Sequence, residues 1–213
     1  MTEAIQRRPL RAVVIGVLIC LGLAGGAVAA LEDQLIPRRL GTVVEGKVYR
    51  SGQIDRRLIR NVLEGHNIER VVLLHGYATH NPDHVAEIQA IKALSIDYER
   101  FPMSGNGLGT PEQYAGVVEL LHDAVQNDVI TLVHCGAGTQ RTGGTVAAYR
   151  LLVEKADPFE VTRESMRYDW SPSDPDSLWP EFLNENMGVI AQHLVDAGVI
   201  DEVPDPLPIF GLR

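Results

Sequence analysis

Apolar residues recur along this chain in two alternating rhythms. Short runs at 42–44, 47–50, 68–74, 96–101 and 129–133 read as strands, and Glu45-Gly46 between the first two predicts a hairpin. The run at 68–74 is apolar apart from Glu69 and Arg70, as expected for a strand covered on both faces. Between the strands the period lengthens to that of a helix. One helix starts with Asp55 as N-cap, carries Leu58, Val62 and Leu63, and stops at Gly65. A second, over 81–94, places Val85, Ile88 and Ile91 on one side. A third is opened by the capping box Thr110-Pro111-Glu112-Gln113 and spaces Tyr114, Val117, Val118, Leu121, Ala124 and Val125 for a core. Beyond 133 the pattern predicts a helix over 142–154 packed by Val146, Tyr149, Leu152 and Val153. Another, opened by Asp157-Pro158, turns Phe159, Val161 and Met166 inward. A polar, proline-containing loop from Tyr168 to Asp176 precedes a last helix with Leu178, Phe182, Met187, Ile190 and Leu194. Strands interleaved with helices define an α/β class: a central, mostly parallel sheet flanked by helices.

The ends of the chain follow a different pattern. Residues 1–11 carry Arg7, Arg8 and Arg11 against Glu3, and 12–31 is a run of twenty residues without a charge. Such a run is long enough to cross a bilayer as a hydrophobic helix. It also reads as a signal peptide, with a basic n-region and Ala27-Val28-Ala29 as cleavage site. Both readings keep the arginines in the cytoplasm and export the rest, to a membrane-anchored, secreted or periplasmic location. Residues 32–40 form a linker, 41–200 the domain, and 201–213 a tail containing Pro204, Pro206 and Pro208. A net charge of -9 leaves no dominant basic surface, which argues against nucleic acid as partner. The two cysteines, Cys20 in the apolar run and Cys135, do not suggest a disulfide framework.

The densest chemistry lies in 129–144, VITLVHCGAGTQRTGG. A buried strand here enters a helix through a short glycine-rich loop, a geometry that aims successive backbone N–H groups and the positive end of a helix dipole into one concavity. Such a nest binds an oxyanion. Cys135 enters it and Arg141 leaves it, with five residues between. A helix N-terminus and cationic neighbours lower a thiol pKa from about 8.5 to roughly 3.5–7.5, giving a thiolate at neutral pH. Arg141 offers a planar fork to two anion oxygens. Gly136, Ala137, Gly138, Thr139 and Gln140 supply the lining amides. Thr142 brings a hydroxyl toward the sulfur.

His134-Cys135-x5-Arg141-Thr142-Gly143 resembles the signature of the cysteine-dependent protein tyrosine phosphatases, and its compact, neutral loop is similar to the dual-specificity branch. Tyr49-Arg50-Ser51-Gly52-Gln53 looks like the opening of bacterial and atypical members. The resemblance implies a phosphatase fold and hydrolysis of a phosphomonoester or phosphorylated protein through a phosphocysteine. Cys135 would be the nucleophile, Arg141 and the loop amides would hold the phosphoryl group, Thr142 would assist turnover, and no metal or organic cofactor would be needed. It also implies a general acid, usually an aspartate in the loop after the strand that ends here near Phe101. That loop, Met103-Ser104-Gly105-Asn106-Gly107, has no carboxylate. Glu112, Asp169 and Asp174 are the remaining candidates, beside Asp97 and Glu99 on the preceding strand. A phospholipid head-group phosphatase, a phosphate-binding module with little turnover and a rhodanese-like sulfur carrier stay open as alternatives. His75, His80 and His84 cluster in sequence, but without a cysteine or HExxH partner they read as solvated loop histidines.

Overall fold

The computed structural model describes residues 13–18 and 34–211, and the chain divides into two compact units, 1–36 and 37–213. In the first unit, residues 13–18 are helical. Most of the span expected at 12–31 lies outside the described residues; among those described, no helix is long and apolar enough to cross a membrane.

The second unit is built on a five-stranded sheet of order β1-β2-β5-β3-β4. Its strands are β1 (Gly41–Val44), β2 (Val48–Ser51), β3 (Arg70–Leu73), β4 (Asp97–Arg100) and β5 (Thr131–His134). The predicted hairpin pairs β1 with β2 antiparallel, Gly41 opposite Arg50 and Val44 opposite Val48; every other pairing is parallel. β5 is inserted between β2 and β3, with Ser51 and Leu73 both in register with His134. The helices are α1 (Ile59–Gly65), α2 (Pro82–Ala93), α3 (Pro111–Gln126), α4 (Gln140–Leu152), α5 (Pro158–Arg167) and α6 (Trp179–Asp196).

The two-residue period of the strands sorts side chains into two cores. Val71, Leu73 and Leu132 join Ile59, Leu63, Ala90 and Ile91 of α1 and α2, while Val72, Leu74 and Val133 join α3, α4 and α6 on the other side. α4 is buried nearly all round, from Thr142 to Tyr149, so the helix leaving the active loop is clamped by its neighbours. Fully burying a Val, Leu or Ile side chain stabilises by about 1.5–3 kcal/mol, and this packing fixes the loop at the end of β5.

Several local expectations need correction. Asp55 caps a preceding turn, accepting from the Arg57 amide, and α1 begins four residues later. β4 is a sheet edge with Asp97, Tyr98 and Glu99 exposed. On α2 the fully buried residues are Glu87, Ala90 and Ile91, while Ile88 is partly buried against the same core. On α5, Phe159 and Met166 are exposed and Val161, Thr162 and Ser165 face in. Leu178 is the exposed N-cap of α6, and Trp179 takes the core position. The Thr110–Gln113 capping box and the Asn81 and Asp157 caps form as expected.

Candidate active site

All of β5 is buried, and the chain leaves it through Cys135–Thr139 into α4. This places the loop at the carboxyl end of a central parallel strand, where open α/β sheets bind ligands. Its carbonyls are anchored outward, one after another. Gly136 accepts from the Gln53 amide (2.8 Å), Ala137 from Arg39 Nη1 (2.6 Å) and Gly138 from Arg50 Nη2 (2.8 Å). Three outward carbonyls on consecutive residues leave the loop amides free to converge. Gly138 adopts φ +83, and a Cβ there would stand 2.6 Å from the Gly52 nitrogen, so only glycine fits. Arg50 is 1% exposed, with its guanidinium stacked on Tyr168 at 3.8 Å. Burial pulls its pKa down to about 10 against the attraction of Tyr168, Glu164 and Cys135, so it remains cationic at neutral pH.

Within this frame the Gly138 amide donates to Cys135 Sγ at 3.2 Å. Burial of Cys135 pushes its thiol up, but the neighbouring Thr142, the Arg141 charge and the Gly138 amide outweigh it, and the thiol titrates below its usual range. Arg141 Nη1 reaches the carbonyls of Leu74 and Met103, each at 3.4 Å. The ends of two strands thus steer its fork. The other fork nitrogen, Nη2, lies beside Gly136. Arg141 and Thr142 are thus near enough to Cys135 to act on its sulfur.

The Gln140 side chain has a part beyond lining the loop. Its amide donates to Asp174 (2.7 Å) and accepts from Ser177 (2.8 Å), whose hydroxyl in turn accepts from Trp170 Nε1 (2.8 Å). The side chain fastens the 168–178 loop to the start of α4. Of the carboxylate candidates, Asp174 contacts the active loop through Gln140. Asp169 reaches it through Arg39, with Nε to Oδ2 at 2.8 Å. Glu112 is exposed on the first turn of α3 and engages His193 of α6 at 3.5 Å. Asn106 accepts from the Leu108 amide and shapes the carboxylate-free loop.

Behind the loop lies a buried group of which the sequence marked His134 but not its partners. His134 is fully buried, its Nε2 2.8 Å from Oε1 of the equally buried Glu87, and its Nδ1 faces the Cys135 carbonyl at 3.4 Å. His75 is no solvated loop histidine. It is 5% exposed, stacks on His84 (4.4 Å) and meets His134 edge-on (5.4 Å). His80 alone of the three is exposed. Ligand-type atoms of His75, Glu87 and His134 lie within 4.8 Å of one another. Two donors sharing a tetrahedral zinc at 2.0–2.1 Å would stand about 3.3 Å apart, whereas His134 Nε2 and Glu87 Oε1 are 2.8 Å apart, too close for that and close enough for a charge pair. The trio fits a charge-paired buried network better than a metal centre. Glu87 gave no sequence signal beyond breaking an apolar helix face. Arg50 and Gln53 did give one, as part of the Tyr49–Gln53 stretch, although their bonds to the loop were not legible.

The fold is shared with solved phosphatase structures. Among solved structures, the chain is similar to the core catalytic domain of the PP-IP phosphatase SIW14 from S. cerevisiae (18% identity, 81% of this chain and 97% of that one, TM-score 0.60). It is also similar to Tk-PTP (17%, 72% and 96%, 0.56) and to PTPMT1 (18%, 74% and 99%, 0.54). No family model matches the sequence, and no curated protein matches it.

Proposed function

We propose that this protein hydrolyses phosphomonoesters through a phosphocysteine intermediate. The observation that carries the reading is a buried sulfur held toward its thiolate form by the Gly138 amide, Thr142 and Arg141, at the base of a loop whose carbonyls all face away. Cys135 Sγ attacks phosphorus and the bond to the ester oxygen breaks, while Arg141 and the loop amides take up charge on the equatorial oxygens. Water then cleaves the S–P bond and releases phosphate, with the Thr142 hydroxyl donating to the departing sulfur. A phosphate-release assay on an aryl phosphate, run beside a thiosulfate–cyanide sulfur-transfer assay, tests the reading. Sulfur transfer without phosphate release would replace it with a rhodanese-like one.

The proposed substrate is singly phosphorylated, phosphotyrosine first and a phospholipid head group second. Residues 136–140 include no lysine or arginine, and Arg39 and Arg50 are committed to the carbonyls of Ala137 and Gly138. Added phosphates on a substrate would thus meet Arg141 alone among the loop residues. A kcat/KM for a multiply phosphorylated inositol well above that for phosphotyrosine would refute this preference. Export, with anchoring through 12–31 if uncleaved, belongs to the proposal on the strength of the basic and apolar N-terminal pattern alone. A phosphate-binding module with little turnover is the second reading, favoured by the absence of a carboxylate from 103–107.

A further inference from the structure

The buried Glu87–His134 pair adjoins the cysteine in the chain and in space, and its charge state follows from its neighbours. His75 Nδ1 points at the Gly76 carbonyl at 2.8 Å and must donate there, which leaves its buried Nε2 as a bare acceptor. Burial holds His75 neutral, its pKa lowered to about 4. His75 therefore has no proton to give Glu87. His134 has an oxygen beside each ring nitrogen, the Cys135 carbonyl at Nδ1 (3.4 Å) and the Glu87 carboxylate at Nε2 (2.8 Å), the latter a close charge contact and not an aligned hydrogen bond. A buried imidazole with a carboxylate oxygen 2.8 Å from one nitrogen and a carbonyl near the other is stabilised as the cation, because the ring charge offsets the otherwise uncompensated buried carboxylate.

We propose that Glu87 is a positioning residue for Cys135: its carboxylate fixes His134 as an imidazolium, which holds the Cys135 carbonyl and sets a positive charge behind the sulfur. The groups facing this pair are few. α2 contributes Glu87 and His84, the segment after β3 contributes His75, the residue after β2 and Gly52 contributes the neutral amide of Gln53, and the active loop contributes Cys135 itself. Arg100 of β4 bonds the His75 carbonyl at 3.0 Å and lies beyond the stacked histidines. Burial opposes the imidazolium, but the Glu87 charge and contact and the nearby Cys135 outweigh it, and His134 titrates above its usual range. Burial pushes the Glu87 carboxyl up, but His134 outweighs it and holds Glu87 below the usual carboxylate range. The inference rests on the proposed phosphatase only in taking Cys135 as the working thiolate.

The experiment reads that thiolate without any substrate. Alkylation by iodoacetamide is followed against pH for the wild type, Glu87→Gln and Glu87→Asp. The isosteric Gln removes the charge and lets His134 go neutral, so the alkylation midpoint moves up by about one pH unit, roughly tenfold slower labelling on the acid limb. Asp keeps the charge and restores most of the midpoint. A Gln variant that labels with the wild-type profile overturns the proposal. Should the Gln variant fail to fold, ¹⁵N histidine spectra of the wild type decide: both His134 nitrogens protonated at pH 7.5 support it, and a neutral ring overturns it. A shifted alkylation midpoint in a protein that releases no phosphate would sink the proposed function and leave this inference standing.

Discussion

Gly138→Ala is the sharpest test of the active-loop geometry. The residue has φ +83, a left-handed conformation that costs an alanine about 1–2 kcal/mol. The new Cβ would also meet the Gly52 nitrogen at 2.6 Å and the Ser51 carbonyl carbon and oxygen at 2.9 Å. These are backbone atoms that cannot rotate away. Gly52 is tied by its amide to the Arg38 carbonyl (2.8 Å), and Ser51 is paired with β5. Reaching an ordinary contact near 3.4 Å requires a retreat of about 0.8 Å, and overpacking on this scale adds about 1–3 kcal/mol. The total of roughly 2–5 kcal/mol is a substantial part of the stability of a typical domain, about 5–15 kcal/mol. A retreat from β2 also stretches the Arg50–Gly138 bond from 2.8 Å to roughly 3.6 Å and disturbs the amide that bonds Sγ. Misplacing one oxyanion donor lowers kcat by about 10²–10³. The assay pairs kcat/KM on an aryl phosphate with a urea melt, using Gly105→Ala as control, since nothing lies within 4 Å of a Cβ there. If Gly138→Ala turns over within about threefold of the wild type and melts at the same urea concentration, the outward-carbonyl account of the loop is wrong.

Two further outcomes are expected. Cys135→Ser loses turnover but keeps anion binding, read as a rise in melting temperature with phosphate, because the donors and Arg141 are separate from the nucleophile; serine turnover equal to the wild type would rule out the thiolate mechanism. Across phosphate esters of graded leaving-group pKa, kcat/KM falls steeply in the wild type, since 103–107 offers no acid and a positioned acid contributes about 10²–10⁴-fold on poor leaving groups. A shallow dependence that steepens in Asp174→Asn, but not in Asp169→Asn or Glu112→Ala, would instead identify Asp174, the carboxylate joined to Gln140, as a working acid.

Much of the site was written in local order. A strand, a glycine-rich turn and a helix start are fixed by contacts only a few residues apart, so 129–144 could be read as a thiolate in an anion nest from spacing alone. The hairpin at Glu45-Gly46 and the caps at Asn81, Thr110 and Asp157 were legible for the same reason, because each is a bond between near neighbours. The insertion of β5 between β2 and β3 was not, since sheet order is settled by which faces find cover after the helices pack. Nor were the bonds from Arg39, Arg50 and Gln53 to the loop carbonyls, each spanning more than eighty residues. Glu87 shows the limit most clearly. A carboxylate on a helix surface normally lies in solvent, and its burial becomes favourable only where the fold sets a protonated histidine 2.8 Å away. Local order was enough to place the proposed nucleophile, Cys135, in its glycine-rich loop. Which charges stand behind them depended on long-range packing, because a buried ion pair forms only between groups that the whole fold has already brought together.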